Sequence, residues 1–394
     1  MNKGRKNKTV FVGMSGGVDS SVAAALLSAE GYDVVGIHLR CFNVDGCAAR
    51  DAEDARRAAE TLGIPFYTLD FEEEYKTKVV SYMVDGYRQG ITPNPDVMCN
   101  REIKFGLFLK KALEMGADFV ATGHYVKKEE RRKKKELKTH SSFIIPHLSL
   151  SIAKDGNKDQ SYFLWTLTQD DLKHCLFPIG EYKKPEVRKL AKKYNLPNAE
   201  KKDSQGICFL GQVTLSDFLK DYIPEKKGAV VTESGEKIGE HIGAHFYTIG
   251  QRHIGVTNTR GKRKEERGKN TEPFYVSGKN IKTNEVIVAE GSENPNLYRK
   301  EINLANVNFI NQNLEFGACD LEFPVLARVR YRQPLVKAML KVKCDTQNGK
   351  TKTSSHSACH FSLKFDQPVK FVAEGQSAVF YSKSGEMLGG GVIV

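Results

Sequence analysis

Short apolar runs alternate with helix-like segments along the first half of the chain. The apolar runs have the length and composition of buried strands, and they cover residues 9–14, 33–39, 65–70 and 119–123. Apolar residues spaced three and four apart predict a helix that ends at Glu30 and further helices at 51–62, 71–88 and 101–115. Strands that alternate with helices predict an α/β fold with a parallel sheet covered on both faces. In such sheets ligands bind beyond the carboxyl ends of the strands.

The last hundred residues follow a different pattern. Short, largely alternating runs separated by turn residues predict strands at 325–332, 336–342, 361–365, 376–382 and 387–394. This pattern is typical of a small antiparallel β-barrel. The region between the two halves is punctuated by glycine and mixed in character. We therefore divide the chain into a parallel-sheet domain (1–210), a small central domain (211–285) and a C-terminal antiparallel β-barrel domain (286–394).

The charge of the chain favours an anionic partner. The formal net charge is +12 over 394 residues, and a polyanion such as nucleic acid releases counterions when basic side chains neutralise it. Two basic runs, 127–138 and 260–269, have two open interpretations: solvated loops or contacts to a phosphate backbone. No stretch approaches the roughly 18 apolar residues that span a membrane, and the N-terminus lacks the apolar core of a signal peptide. We expect no membrane association and a cytoplasmic location.

The eight cysteines are dispersed through the chain, and no two have the C-x-x-C spacing. This distribution is unlike a disulfide scaffold and gives no support to a structural zinc site. We therefore predict no metal centre built on them, and we ask which thiols are reactive.

A glycine-rich segment follows the first predicted strand and precedes the first predicted helix. It reads Ser15-Gly16-Gly17-Val18-Asp19-Ser20-Ser21. Glycines let the backbone approach an anion closely, and the N-terminus of the following helix adds partial positive charge. The segment lacks the Gly-Lys-Ser/Thr ending of the Walker loop, so transfer of the γ-phosphate is not implied. We predict a phosphate-binding loop.

Two cysteines stand in segments that favour a reactive thiol. Cys99 lies near the end of the stretch 92–100, which two prolines stiffen and which we predict to be a loop that leads into a helix. Cys99 would then stand at or beside the helix N-terminus, where the helix dipole favours the thiolate. Cys208 lies in Lys201-Lys202-Asp203-Ser204-Gln205-Gly206-Ile207-Cys208, where two lysines can stabilise a nearby thiolate. A buried structural cysteine is the alternative interpretation at 99. A sulfur relay requires that the two thiols approach each other, which the sequence alone does not show.

The glycine-rich segment resembles the pyrophosphate loop of the ATP pyrophosphatase superfamily, whose members cleave ATP between its α and β phosphates and adenylate an oxygen. The resemblance implies a first domain of the N-type ATP pyrophosphatase fold. It also implies that ATP is held by Gly13, Met14, Ser15, Gly16, Gly17, Val18, Asp19 and Ser20, with Leu39 and Gly123 on the adenosine side. Asp19 would help to position Mg²⁺.

The chain as a whole closely resembles the bacterial tRNA-specific 2-thiouridylase family, which installs sulfur on the wobble uridine of tRNA. The similar stretches are 13–21, 94–105, 121–125, 157–163, 201–209, 247–252, 330–333 and 375–381. The resemblance implies a nucleophile at Cys99, a persulfide at Cys208 and a transient disulfide between them. It implies base contacts from Asn94, Pro95 and Asp96, and tRNA contacts from Lys158, Asp159, Gln160, Arg330 and Tyr331. The implied partners are tRNA and a persulfide-carrying sulfur-donor protein, and we expect a monomer.

Some features depart from the family pattern, and two other functions stay open. Residues 127–152 and 345–360 look inserted, and we interpret Cys359-His360 as part of a loop, not as a metal site. His124 is interpreted as a structural hydrogen-bonding residue, not as an acid–base catalyst. The alternatives to thiolation are another adenylating enzyme, such as an amidotransferase-type synthetase, and a tRNA-binding protein whose loop only senses nucleotide.

Overall fold

The computed structural model of the chain describes residues 8–42, 44, 46, 48–136, 142–203, 209–211, 213–252, 254, 272–311, 321–344 and 359–394. Side chains are described in all of these ranges except at 132–136, 142–146 and 344. Cys208 and the whole basic run 260–269 therefore lie outside the described residues.

A five-stranded parallel sheet forms the centre of the N-terminal domain. Its strand order is β3-β2-β1-β4-β7, and all neighbours run parallel. The strands are β1 (Thr9–Gly13), β2 (Asp33–Arg40), β3 (Phe66–Asp70), β4 (Phe119–Ala121) and β7 (Cys175–Leu176). The chain leaves β1 toward β2 on one side, whereas β4 lies on the other. The strand order therefore reverses between β1 and β4, which is where ligands bind in such sheets.

Helices cover both faces of this sheet, as the alternation of patterns predicted. The helices of the domain are α1 (Val18–Ala29), α2 (Ala48–Leu62), α3 (Glu72–Tyr75), α4 (Ser81–Arg88), α5 (Pro95–Cys99), α6 (Leu109–Glu114), α7 (Gln169–Lys173) and α8 (Lys184–Lys193). A π-helix, Lys76–Val80, joins α3 to α4, and a second, Asn100–Phe108, joins α5 to α6. Val10 and Val12 face the core that includes α2 and α8, whereas Phe11 faces the core that includes α6. This division follows the alternation of side chains along a strand.

The predicted loop at 92–100 is wrong for its second half, because the helix already begins at Pro95. Asn94 is the N-cap, and its side chain accepts a hydrogen bond from the Val97 amide at 3.2 Å. Proline has no backbone N–H, but at the first helical position an N–H would have no partner within the helix. Its fixed φ also suits a helix. Asn94-Pro95 is thus a helix start, and Cys99 is the fifth residue of a helix that continues to Glu114.

A small mixed sheet forms the central part of the chain. Its strand order is β10-β11-β8-β9, with β8 parallel to β11 and the other pairs antiparallel. The elements are α9 (Leu215–Lys220), β8 (Gly228–Thr232), β9 (Lys237–His241), β10 (Phe274–Asn280) and β11 (Glu285–Glu290). Short 3-10 helices stand at Ala244–Phe246 and Pro295–Leu297.

The C-terminal strands form the predicted antiparallel barrel, which β12 and β17 close by pairing with each other. The strands are β12 (Tyr298–Phe309), β13 (Leu321–Arg328), β14 (Val336–Cys344), β15 (Cys359–Lys370), β16 (Ser377–Tyr381) and β17 (Glu386–Ile393). The sequence did not predict β12, which carries many polar residues and buries Ile302 and Leu304 toward the barrel core. Cys359-His360 begins β15, so its interpretation as part of a loop is wrong. Cys359 is disulfide-bonded, and its backbone lies opposite Cys344.

A hairpin from the N-terminal domain extends the barrel sheet. It consists of β5 (Lys127–Glu136) and β6 (Ser142–Ser151), and β6 pairs with β17 through Met387 and Leu150. Most of the basic run 127–138 is therefore a strand, not the solvated loop that was one of its two interpretations. Within the described residues, no helix combines the length and apolar character needed to cross a membrane.

Candidate active site

The glycine-rich segment forms a tight turn between β1 and α1, at the point where the strand order reverses. Gly16 has φ of 75°, and a Cβ there would lie 2.3 Å from the Asp51 carbonyl oxygen. The Ser20 hydroxyl accepts from the Ser15 amide at 3.2 Å and donates to the Gly17 carbonyl oxygen at 3.1 Å. Only glycine fits at position 16, and the serine hydroxyl closes the turn at the N-terminus of α1.

The end of β4 meets the same turn. A Cβ at Gly123 would lie 2.6 Å from the Ser20 amide nitrogen, so the two backbones approach closely only because position 123 is glycine. Met14 is buried, and Leu39 lies at the carboxyl end of β2 on the same edge of the sheet. The structure thus gathers residues 13–20, Leu39 and Gly123 along one edge of the sheet, at the carboxyl ends of β1, β2 and β4.

His124 follows this contact and is buried. Its Nδ1 lies 2.8 Å from the Thr122 hydroxyl. Burial lowers the pKa of His124 well below its ordinary value, and Lys104 adds to this effect. A histidine held neutral and hydrogen-bonded to a neighbouring threonine agrees with a structural role.

A cluster of ion pairs lies beside the phosphate-binding turn. The Asp19 carboxylate accepts hydrogen bonds from the Tyr125 hydroxyl at 2.8 Å and from Lys184 Nζ at 2.8 and 2.9 Å. Lys184 also contacts Asp203 at 2.8 Å. Asp203 is in turn bound by Lys158 Nζ at 2.5 Å and by an Arg188 guanidinium nitrogen at 3.0 Å. The cluster joins the turn to Asp203, which lies five positions before Cys208 in the chain.

Cys99 lies in the second turn of the helix that begins at Pro95, and only 4% of its surface is exposed. The neighbouring Asn100 donates from its side-chain amide to the Phe163 carbonyl oxygen at 3.1 Å. Cys99 therefore lies one turn inside the helix, not at or beside its N-terminus as predicted, and its thiol is shielded from solvent. The helix dipole acts mainly within the first turn, so it gives this thiol little support.

The residues that precede Cys99 line a narrow cleft between α5 and the barrel. Asn94, Val97 and Met98 form one wall, and Trp165 and Ser377 form part of the other. Asp96 stands in the first turn of α5, where burial raises the pKa of its carboxyl and Lys104 partly opposes the shift. Asn94 is buried, and its side-chain oxygen accepts the hydrogen bond that caps the helix.

Asp159 and Gln160 have contacts inside the protein. The Asp159 carboxylate is buried, accepts from the Ser161 hydroxyl at 2.9 Å and forms an ion pair with Arg328 of the barrel at 3.2 Å. The side-chain oxygen of Gln160 accepts a hydrogen bond from the Tyr125 backbone amide at 3.0 Å. The backbone amide of Gln160 donates to the Tyr125 carbonyl oxygen at 2.8 Å. Gln160 thereby fixes the residue that holds Asp19.

Arg330 and Tyr331 lie where the barrel meets the other two parts of the chain. Arg330 donates to the Ile249 carbonyl oxygen at 2.5 Å, and burial lowers the pKa of its guanidinium. The Tyr331 ring packs on Phe163, with 4.5 Å between ring centroids. Because Phe163 accepts the hydrogen bond from Asn100, Tyr331 is linked by direct contacts to the neighbour of Cys99.

The structure leaves one predicted relationship undescribed. Cys208 lies outside the described residues, so the approach of its thiol to Cys99 stays a prediction. Asp203, five positions earlier, lies in the ion cluster beside the phosphate-binding turn.

Several residues of this site were given no role by the sequence. Tyr125 and Asp203 lie inside the stretches that carry the family resemblance, which marked their segments but not their contacts. Lys184 had no signal at all, because it stands 165 positions from the aspartate that it contacts.

The chain is similar to known proteins along almost its whole length. Profiles described as "tRNA methyl transferase HUP domain", "tRNA methyl transferase PRC-barrel domain" and "Aminomethyltransferase beta-barrel domain" match residues 8–212, 216–290 and 299–393. A tRNA-specific 2-thiouridylase from Christiangramia forsetii is 40% identical, covering 98% of this chain and 100% of the relative. One from Geobacillus kaustophilus is 42% identical, covering 95% and 93%. One from Bacillus cytotoxicus is 40% identical, covering 100% and 96%. With this identity over nearly full length, the chain belongs to the tRNA-specific 2-thiouridylase family.

Proposed function

We propose that the protein replaces the C2 oxygen of the wobble uridine in tRNA with sulfur, at the expense of ATP. The observation that carries the proposal is the phosphate-binding turn at the switch point between β1 and β4, in a chain that belongs to this family over nearly its whole length. The reaction makes the enzyme a tRNA sulfurtransferase that forms 2-thiouridine in the anticodon.

The ATP step activates a poor leaving group. The uracil C2 oxygen attacks the α-phosphorus, the bond from that phosphorus to the β-phosphate oxygen breaks, and pyrophosphate leaves with the electron pair. The backbone of residues 13–20 at the N-terminus of α1 would hold the phosphates, and Leu39 and Gly123 would line the adenosine side. A sulfur nucleophile then adds to C2, and AMP departs with the former uracil oxygen.

The sulfur step uses two thiols. Cys208 would carry a persulfide delivered by a donor protein. Either its outer sulfur attacks C2 and Cys99 resolves the bond, or Cys99 first liberates hydrosulfide. Both routes end in a disulfide between Cys99 and Cys208, which a reductant must open before the next turnover.

The target base must leave the anticodon stack to reach the residues at the start of α5. A single-stranded loop allows this, because its bases can be splayed out and bound in a pocket. We assign Asn94, Pro95 and Asp96 to the base, and Lys158, Asp159, Gln160, Arg330 and Tyr331 to binding the tRNA. The side chains of Asp159 and Asn94 are buried. These two residues would therefore act by holding in place the backbone that contacts the tRNA or the base.

The setting of the reaction completes the proposal. We keep the division into residues 1–210 with both cysteines, 211–285 as a tRNA-binding domain and 286–394 as the barrel. The protein would act as a monomer in the cytoplasm, where its tRNA substrate is available, with Mg²⁺ supplied as the ATP complex.

Mass spectrometry of nucleosides tests the proposal directly. tRNA is incubated with protein, ATP and sulfide, and then digested to nucleosides. The expected product is 2-thiouridine at the wobble position, dependent on ATP. A methylated nucleoside, which the names of the matched profiles suggest, or an unchanged uridine would contradict the proposal.

A further inference from the structure

Lys184 is a buried lysine at the edge of the phosphate-binding turn. It is the first residue of α8, and only 8% of its surface is exposed. Its ammonium contacts both oxygens of Asp19, at 2.8 and 2.9 Å, and one oxygen of Asp203, at 2.8 Å. A buried ammonium is costly unless it is paired, and here two carboxylates pair it.

Asp19 is an awkward residue for a phosphate site. It is the second residue of α1, in the first turn of the helix whose N-terminus faces the ligand. A carboxylate there repels the phosphates of ATP unless a cation compensates its charge. The compensating cation is either a metal ion or a side chain.

The contacts of Asp19 favour a side chain. One carboxylate oxygen accepts from both the Tyr125 hydroxyl and Lys184, and the other accepts from Lys184. A magnesium ion at this carboxylate would have to displace an ammonium of like charge, and it demands near-ideal octahedral geometry. The set does not fit a protein-bound Mg²⁺ at Asp19.

We infer that Lys184 is a positioning residue for ATP, which neutralises Asp19 so that the turn accepts the triphosphate, and that Asp19 does not ligate Mg²⁺. The inference deepens the proposed function and rests on it for the role of ATP. Asp203 holds Lys184 in place, and Lys158 and Arg188 bind the other side of Asp203. Asp155 also belongs to the cluster, because its carboxylate accepts from the Lys184 backbone amide at 2.9 Å. Three cations thus face three carboxylates, so the loss of Lys184 would leave the cluster with an uncompensated negative charge beside an anionic ligand.

A double-mutant cycle tests the inference. The dissociation constant of a non-hydrolysable ATP analogue is measured with and without Mg²⁺, in the full chain without tRNA or sulfur. Lys184→Met exposes the charge of Asp19 and is expected to weaken binding about tenfold or more. Asp19→Asn alone is expected to bind at least as tightly as the unaltered protein, with or without Mg²⁺. Adding Asp19→Asn to Lys184→Met is expected to restore most of the lost affinity.

Three results would overturn the inference: unchanged binding by Lys184→Met, a loss that Asp19→Asn does not repair, or an Asp19→Asn defect seen only with Mg²⁺. The last would make Asp19 a metal ligand. If Lys184→Met fails to fold, the Asp19→Asn single variant and the neutral double variant still decide the matter.

Lys154→Met is the matched control. Lys154 pairs with Glu186 of the same helix at 3.3 Å, and both side chains are exposed. Its loss should leave the affinity for the analogue unchanged. Because binding is measured without tRNA, a failure of thiolation in the unaltered protein would contradict the proposed function and leave this charge pattern standing.

Discussion

The side-chain amide of Gln376, in the barrel, donates a hydrogen bond to the Thr92 carbonyl oxygen at 2.9 Å. The same amide reaches the Pro93 carbonyl oxygen at 3.2 Å, and the Thr92 amide donates to the Glu374 carbonyl oxygen at 2.7 Å. The barrel therefore fixes the backbone immediately before Asn94, where the helix with Cys99 begins. The C-terminal domain contributes to the position of the candidate nucleophile.

Gln376→Ala should lower the thiolation rate more than it lowers tRNA affinity. Small displacements of a reacting group reduce rates strongly, and we expect a loss of at least about tenfold in kcat. Single-turnover thiolation and a tRNA binding titration measure the two effects. Gln333→Ala is the control, because Gln333 donates to Lys370 elsewhere in the barrel. Equal losses in both variants would contradict a specific role of Gln376.

The buried pair of Asp159 and Arg328 should matter chiefly for stability. Their side chains are 1% and 7% exposed, and the pair joins the N-terminal domain to the barrel. Arg328→Ala leaves a buried carboxylate without its cation, which typically costs about 3–5 kcal/mol. Urea unfolding followed by the fluorescence of Trp165, the single tryptophan, measures the change. Lys173→Ala, which breaks an exposed pair with Asp170, should shift the curve by less than about 1 kcal/mol.

Cys99→Ala should abolish thiolation and leave tRNA binding largely intact. The thiol takes part in bond making, whereas affinity for tRNA comes from charge and shape over a much larger surface. Nucleoside mass spectrometry and a binding titration separate the two. Cys175→Ala is the control, because Cys175 is buried in β7 and burial raises the pKa of its thiol, which disfavours the reactive thiolate. Unchanged thiolation by Cys99→Ala would exclude Cys99 as the nucleophile.

tRNA affinity should fall steeply with salt. The chain carries a net charge of +12, and each phosphate neutralised by a basic side chain releases counterions. When the logarithm of the association constant is plotted against the logarithm of the salt concentration, the line should have a steep negative slope. Binding of the ATP analogue, with few phosphates, should depend on salt much less. A flat response for tRNA would show that the basic surface does not carry binding.

Asp203 should make the fold sensitive to acid. Burial raises the pKa of its carboxyl, but hydrogen bonds and ion pairs with Lys158 and Lys184 outweigh this and lower the pKa to about 2. The folded pKa thus lies below the unfolded value of about 3.9, so the stabilisation is present above pH 4 and is lost as the pH falls toward 2. Asp203→Asn should lower Tm at pH 7, and its deficit should shrink below pH 4. The exposed Asp33→Asn serves as the control, and a deficit independent of pH would contradict the prediction.

Features set by local physics could be predicted from the sequence. The runs at 9–14 and 33–39 became β1 and β2 because a stretch of apolar residues bounded by turn residues favours a buried strand wherever it lies. The turn at Ser15–Ser21 was predictable because glycine permits backbone conformations that other residues avoid. The helix start at Asn94-Pro95 was also a local signal, but the two prolines led us to predict a loop instead. The strand β12 was missed because its polar residues obscure the three apolar residues that it buries, Ile302, Leu304 and Phe309.

The sequence by itself determined the fold class and the family and predicted the glycine-rich turn, because all of these depend on short segments and their order. Only the tertiary structure decided that Lys184 compensates Asp19, that Gln376 holds Thr92, and that β5 and β6 extend the barrel sheet. Lys184 lies 165 positions from Asp19, and Gln376 lies 284 positions from Thr92. The hairpin and β17 are more than 200 positions apart. Charge compensation and backbone hydrogen bonds depend on distances in space, and no local pattern encodes which distant partner the folded chain brings within reach.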